Sequence, residues 1–207
     1  MEIVLDVYKR PYDEKNPVVC MDESPKQIIK ETRASLPMEK GIPVREDYEY
    51  ERCGVCNIFM ANEPLKGNRI IKITERKTKE DWAIFMKEIS ENYSEADKIT
   101  IVMDNFKTHS HGAFYEAFEP EEAKKLLDRF EFINTPKHGS WLNMAEIELN
   151  VLQNQCLKRH FNSMEEIIKE SQAWQNTRNN KNAKINWRFT TKEARIKLKR
   201  LYPSFEN

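Results

Sequence analysis

Residues 98–105, KITIVMDN, decide the fold. A short apolar run rich in branched side chains reads as a β-strand, and this one stops on a carboxylate, Asp104. A second run of the same kind, PVVCMDE at 17–23, reads as a buried strand and stops on Asp22. Open α/β sheets tend to hold their ligands outside the carboxyl ends of the strands, so both acids stand where a site forms. A third acid, Glu146, lies early in KHGSWLNMAEIELN at 137–150; the spacing of Ile147, Leu149, Leu152 and Cys156 predicts a helix over 142–159. Two strand-end carboxylates and one helix carboxylate match what a two-metal phosphoryl-transfer site requires. Mg2+ is a hard ion that prefers oxygen ligands, and a pair of such ions activates the attacking oxygen and stabilises the leaving one. The pattern points to a metal-dependent enzyme that cuts or joins nucleic-acid strands.

The remaining elements follow from spacing and turn chemistry. Residues 1–16 read as an extended lead-in, with Pro11 and Pro17 restricting the backbone. Residues 23–47 are polar, carry Pro25, Pro37, Gly41 and Pro43, and read mostly as loop, with a helical turn at 26–32. Runs at 48–61 and 69–74, joined through PLKGN at 64–68, predict an antiparallel hairpin. Trp82, Phe85, Met86 and Ile89 mark one face of a helix over 78–93. A helix at 120–130, a strand at 130–134 and a helix capped by Ser163 with Glu166 come next. This order predicts an α/β fold, a mixed sheet flanked by helices. The expected divisions are a lead-in at 1–16, a catalytic domain at 17–185 and a basic C-terminal arm at 186–207.

Formal net charge is zero, yet from Val151 onward 12 Lys and Arg oppose 5 acids, giving this part +7 and the remainder −7. A basic tail beside an acidic metal site is compatible with holding phosphates; a solvated helix face is the plain alternative. No window approaches the run of about 18 apolar residues that a membrane span needs, and the N-terminus lacks the pattern of a signal peptide. Four cysteines in 207 residues do not form a secreted disulfide framework, so a reducing, cytoplasmic setting is expected. Cys53 and Cys56 stand three apart in a predicted strand and face opposite sides, which argues against zinc.

CMDE at 20–23, VMDNFKTH at 102–109 and TPKHGSWLNMAEIE at 135–148 together resemble the DDE transposases. The likeness is nearest to the bacterial insertion-sequence six-thirty group of the mariner-like superfamily. That group shows Asp-Asn and a nearby His at the second acid, then Pro-x-His, Trp-Leu-Asn and Glu at the third. Here these are Asn105, His109, Pro136, His138, Trp141, Leu142, Asn143 and Glu146. WRFTTKEARIKLKRLYP at 187–203 also resembles the group's terminal segment. The resemblance implies an RNase H-like fold in which Asp22, Asp104 and Glu146 are the catalytic acids and hold two Mg2+ or Mn2+ ions. It implies hydrolysis at a transposon end, then strand transfer of the freed 3′-hydroxyl into double-stranded target DNA, usually at TA. A homodimer would pair the two DNA ends.

Within this frame Asn105, His109, His138 and Asn143 are expected to orient the acids or contact DNA, with capping and packing as the plain alternative for the histidines. Lys197, Lys199 and Arg200 are expected to meet DNA. Glu148 is a rival to Glu146, but two residues along a helix differ by about 200°, so Glu148 belongs on a solvated or salt-bridging face. Glu23 reads as a surface residue or a partner of the acids, and Trp141 as a packing anchor. The interval between Asp104 and Glu146 is longer than in animal mariner relatives, with added sequence at 111–120. Such transposases carry helix-turn-helix domains before the first acid, and only 21 residues precede Asp22. The expectation is therefore a catalytic domain whose recognition region is absent or separate. A DNA-binding remnant without catalysis is the alternative.

Overall fold

Residues 1–31, 50–106, 108–137 and 139–202 are described by a computed structural model. His138, residues 32–47 of the expected loop, the first two residues of the expected strand at 48–61 and the last five of the arm lie outside the described residues.

Five strands form one sheet: β1 Val18–Glu31, β2 Tyr50–Glu63, β3 Asn68–Thr74, β4 Ile99–Met103 and β5 Phe130–Asn134. Their order is β3-β2-β1-β4-β5. The first three pair antiparallel, whereas β1–β4 and β4–β5 are parallel. Every residue of β4 is buried, as expected of a parallel strand covered on both faces.

Alternation along the strands sorts the core into two layers. Val19, Met21 and Phe59 pack against Trp82, Phe85 and Phe114, on the side covered by α2 Lys79–Asn92, α3 His111–Ala117 and α4 Pro120–Asp128. Cys20 and Val102 pack against Val4, Leu5, Ala145 and Ala194, and Ile58 and Met60 against Leu152 and Ile167. This second layer is built by α1 Glu2–Val7, α5 Met144–Gln155, α6 Met164–Asn180 and α7 Thr191–Lys197. Trp187, Phe189 and Leu198 join the cluster of Val4 and Leu5, and Arg195 grips both oxygens of Glu2 at 2.7 Å.

Three local expectations are corrected. The lead-in is not extended throughout, because Val4, Leu5 and Val7 turn inward on the short helix α1. Residues 23–31 are not loop: β1 continues to Glu31 paired with β2, with a bulge between Ile28 and Ile29. Its ladder with β4 covers only Val18, Val19 and Cys20, so beyond them β1 has a strand on one side only and tolerates Pro25, which has no N–H to donate. The helix carrying Glu146 stops at Gln155, short of 159.

The outer edge of β3 is closed by side chains of α6, which keeps it from recruiting another strand. Asn179 accepts from the Arg69 N–H and donates to its carbonyl, both at 2.9 Å, and Gln175 accepts from the Ile71 N–H at 2.6 Å. The β2–β3 turn is held as tightly. Gly67 has φ +81°, and a Cβ there would lie 2.6 Å from the Asn182 carbonyl carbon. Gly67→Ala is therefore expected to destabilise the fold by roughly 1–3 kcal/mol, combining a disfavoured dihedral with a backbone clash. A lower urea midpoint at constant slope would register it; an unchanged midpoint would mean the turn yields freely.

Candidate active site

The three acids reach one place from three elements. Asp22 lies on β1, Asp104 directly follows β4, and Glu146 is in the first turn of α5. All three line a cavity of about 680 Å3. Glu23, Ser24, Pro25 and Lys26 continue its wall along β1, and Asn150 and Gln153 continue it along α5 at helical spacing.

Asn143 joins the strand to the helix. Fully buried, it caps α5 by accepting from the Ala145 N–H at 3.1 Å. Its amide nitrogen donates to the Met21 carbonyl at 2.8 Å and to Asp22 Oδ2 at 3.3 Å. Asp22 Oδ1 accepts from the Glu23 N–H at 2.8 Å. Burial, and then the charges of Glu23, Asp104 and Glu146, push the Asp22 carboxyl up to about 7.

Asp104 is held from below. Its Oδ1 accepts from the Phe106 N–H at 3.2 Å and lies 2.9 Å from His109 Nδ1, which also makes a 3.3 Å hydrogen bond with the Asp104 carbonyl. His109 is buried, stacked on Trp82 at 5.4 Å between ring centroids, and its Nε2 lies 3.1 Å from Glu23 Oε2. Lys77 Nζ stands 2.6 Å from Glu23 Oε1 and 3.8 Å from the Phe106 ring centroid. Burial alone would lower the His109 pKa, but the carboxylates of Asp104 and Glu23 outweigh it and push it up to about 9. Burial also opposes ionisation of Glu23 and Asp104, and their cationic partners hold both below the usual carboxylate range.

The other residues singled out in the sequence are dispersed. Asn105 is exposed beside Asp104. Lys197, Lys199 and Arg200 are exposed on α7 and the 3-10 turn after it, off the cavity wall. An aromatic path runs from the first of them toward it: Lys197 Nζ lies 5.8 Å from the Phe189 ring centroid, and Phe189 meets Trp141 edge-on at 5.8 Å. Trp141 adjoins Ser140 of the wall and is 43% exposed, more open than a packing anchor requires. Glu148 turns away from the cavity and pairs with Arg69 and Arg178. Cys53 is exposed and Cys56 buried, because β2 is exposed over its first six residues and buried from Cys56 onward. Lys26 and Lys77 escaped the sequence reading. Lys26 lies four residues beyond Asp22 on the same strand, visible only once β1 is known to continue to Glu31; no local pattern marks Lys77.

Among the described residues, no three His, Cys, Asp or Glu side chains stand in an arrangement that holds an ion as it is. Asp22 and Asp104 are instead tied to protein donors through Oδ1. The donor chemistry nonetheless suits a hard divalent cation: every candidate ligand is a carboxylate oxygen, and the charge deficit at Asp22 is one that such an ion relieves. No helix among the described residues is long and apolar enough to cross a membrane.

A family model described as DDE superfamily endonuclease matches residues 17–168. Curated proteins offer no match. Among solved structures, the Mos1 transposase paired-end complex with left transposon end aligns with TM-score 0.57 and 16% identity, over 84% of this chain and 51% of that one. The Mos1 mariner paired-end complex with Mn gives TM-score 0.56 and 16% identity over 84% and 52%. The corresponding complex with Mg gives 0.55 and 16% over 85% and 52%. The chain thus spans about half the length of each, and the likeness establishes an RNase H-like mixed sheet flanked by helices.

Proposed function

The chain belongs to the DDE superfamily endonucleases, and from that premise we propose that it is the catalytic domain of a transposase of the insertion-sequence six-thirty branch. In this reading it hydrolyses DNA phosphodiesters at transposon ends and joins the freed 3′-hydroxyl to target DNA at TA. The observation that carries the reading is the convergence of Asp22, Asp104 and Glu146 on one polar cavity wall. Those three acids hold two ions, Mg2+ or Mn2+. When bound, the ions lower the pKa of the attacking oxygen and offset charge on the leaving one.

The protein's own residues supply the arrangement. Asn143 fixes the start of α5 against the end of β1, and so fixes Glu146 relative to Asp22. His109 and the Phe106 amide hold Asp104. Lys26 stands on the same wall with its Nζ donating to the Leu157 carbonyl at 2.6 Å, and its remaining N–H groups suit a backbone phosphate beside the scissile one. Lys197, Lys199 and Arg200 contact duplex DNA farther out. The full reaction pairs two ends in a homodimer, with end recognition by a helix-turn-helix region beyond the matched residues, in a bacterial cytoplasm.

Nicking of a labelled duplex in Mn2+ or Mg2+ tests this directly. Cleavage that needs the ion and vanishes in Asp104→Ala supports it. A folded protein that leaves transposon-end DNA intact in either ion favours a DNA-binding remnant. Replacing Lys197, Lys199 and Arg200 with Ala is expected to weaken duplex binding and lower the log–log salt slope by about 0.9 for each phosphate no longer neutralised. An unchanged slope would take the arm off the DNA.

A further inference from the structure

We infer that Glu23, acting through His109, is the positioning residue that orients the Asp104 carboxylate, and that ion affinity depends on Glu23 although it holds no ion itself. The inference rests on the metal-dependent reading above. Alternation along β1 turns Glu23 away from Asp22, toward the layer of α2. Its side chain is 2% exposed and that of His109 0%, so neither is a surface charge. A buried carboxylate persists only when paired, and Glu23 is paired on both oxygens, to Lys77 and to His109.

The ring of His109 has little freedom. Trp82 stacks on it at 5.4 Å and Phe106 lies against it at 5.9 Å. With Nε2 3.1 Å from Glu23 Oε2, Nδ1 is turned to Asp104, 2.9 Å from its Oδ1 and 3.3 Å from its carbonyl. Asp104 follows the last residue of β4 and has left the ladder, so these side-chain contacts determine its rotamer. Asp104 lines the cavity in this orientation. Hydrogen-bond partners one layer behind a metal ligand set its orientation, and losing one typically weakens metal binding by about 10–100-fold.

Mn2+ binding measured by calorimetry on the full chain tests the inference apart from activity. Glu23→Gln keeps the shape, but an amide accepts on one oxygen only and cannot serve both Lys77 and His109. Its Mn2+ Kd is expected to rise about 10–100-fold, with cleavage recovering at saturating Mn2+ and KM for DNA unchanged. That recovery separates a positioning role from general damage. Because Glu23 acts through His109, Glu23→Gln should add nothing to His109→Gln. Glu23→Asp, which keeps the buried charge but withdraws it from the ring, should weaken Mn2+ in the same direction and covers the case in which the amide does not fold. Wild-type Mn2+ affinity in a folded Glu23 variant, with Asp104→Ala defective, overturns this inference alone. A wild-type chain that binds no Mn2+ overturns the proposed function and this inference with it.

Discussion

Glu146→Gln lowers metal-dependent DNA cleavage by about 1000-fold and leaves the thermal midpoint close to that of the wild type. The amide fills the same volume at a half-buried cavity position, so packing does not change. What disappears is a full negative charge at a site expected to hold divalent ions. Electrostatic support of that kind contributes several kcal/mol to phosphoryl transfer, and each 1.36 kcal/mol is about a factor of ten in rate. Single-turnover nicking in saturating Mn2+, together with a melting curve, reads both halves. Asp104→Ala should match it in rate. If Glu146→Gln cleaved normally while Asp104→Ala did not, the third acid would have to be sought elsewhere on the wall.

The two strand-end acids were singled out through the motifs around them, since an acid closing an apolar run is by itself often only a solubilising cap or a helix N-cap. Glu146 was legible through helical spacing and through the Trp-Leu-Asn that precedes it. β1 beyond Asp22 was not, because Pro25 and the polar residues around it look like loop when their pairing with β2 is unseen. The chain from Lys77 through Glu23 to His109 was only half visible. Its members come from positions 23, 77 and 109, and side chains so far apart in sequence meet only once β1, the connection from β3 to α2 and the segment after β4 have packed. Glu148 shows the same limit. Its helical position excluded it from the site, but not from the solvent, since its partners Arg69 and Arg178 lie 79 and 30 residues away.

Those partners make Glu148 the place where a substitution should cost most in stability. The side chains of Glu148 and Arg69 are each 1% exposed. Arg69 Nε and Nη2 meet the two carboxylate oxygens at 2.7 and 2.9 Å, and Arg178 Nη2 adds a third contact at 2.9 Å. Arg69 also donates to the Gly67 carbonyl at 2.6 Å and to the Ala183 carbonyl. One carboxylate thus ties α5 to β3 and α6, behind the helix face that carries Glu146. Glu148→Ala strands a buried guanidinium, and breaking such a pair from one side typically costs about 3–5 kcal/mol. For a chain of this size that is a fall of roughly 6–20 °C in Tm. Replacing both members with apolar residues of similar volume, Glu148→Leu with Arg69→Met, should recover much of the loss, because no charge is then left unpaired between them. The double variant still leaves Arg178 without its carboxylate, but that side chain is 21% exposed and can reach water. Full additivity of the two single effects would show that each residue stabilises the fold through contacts other than this pair. Cleavage should follow the folded fraction in these variants, the reverse of Glu146→Gln, so two acids on successive faces of one helix would be separated by experiment into one that serves the reaction and one that holds the helix in place.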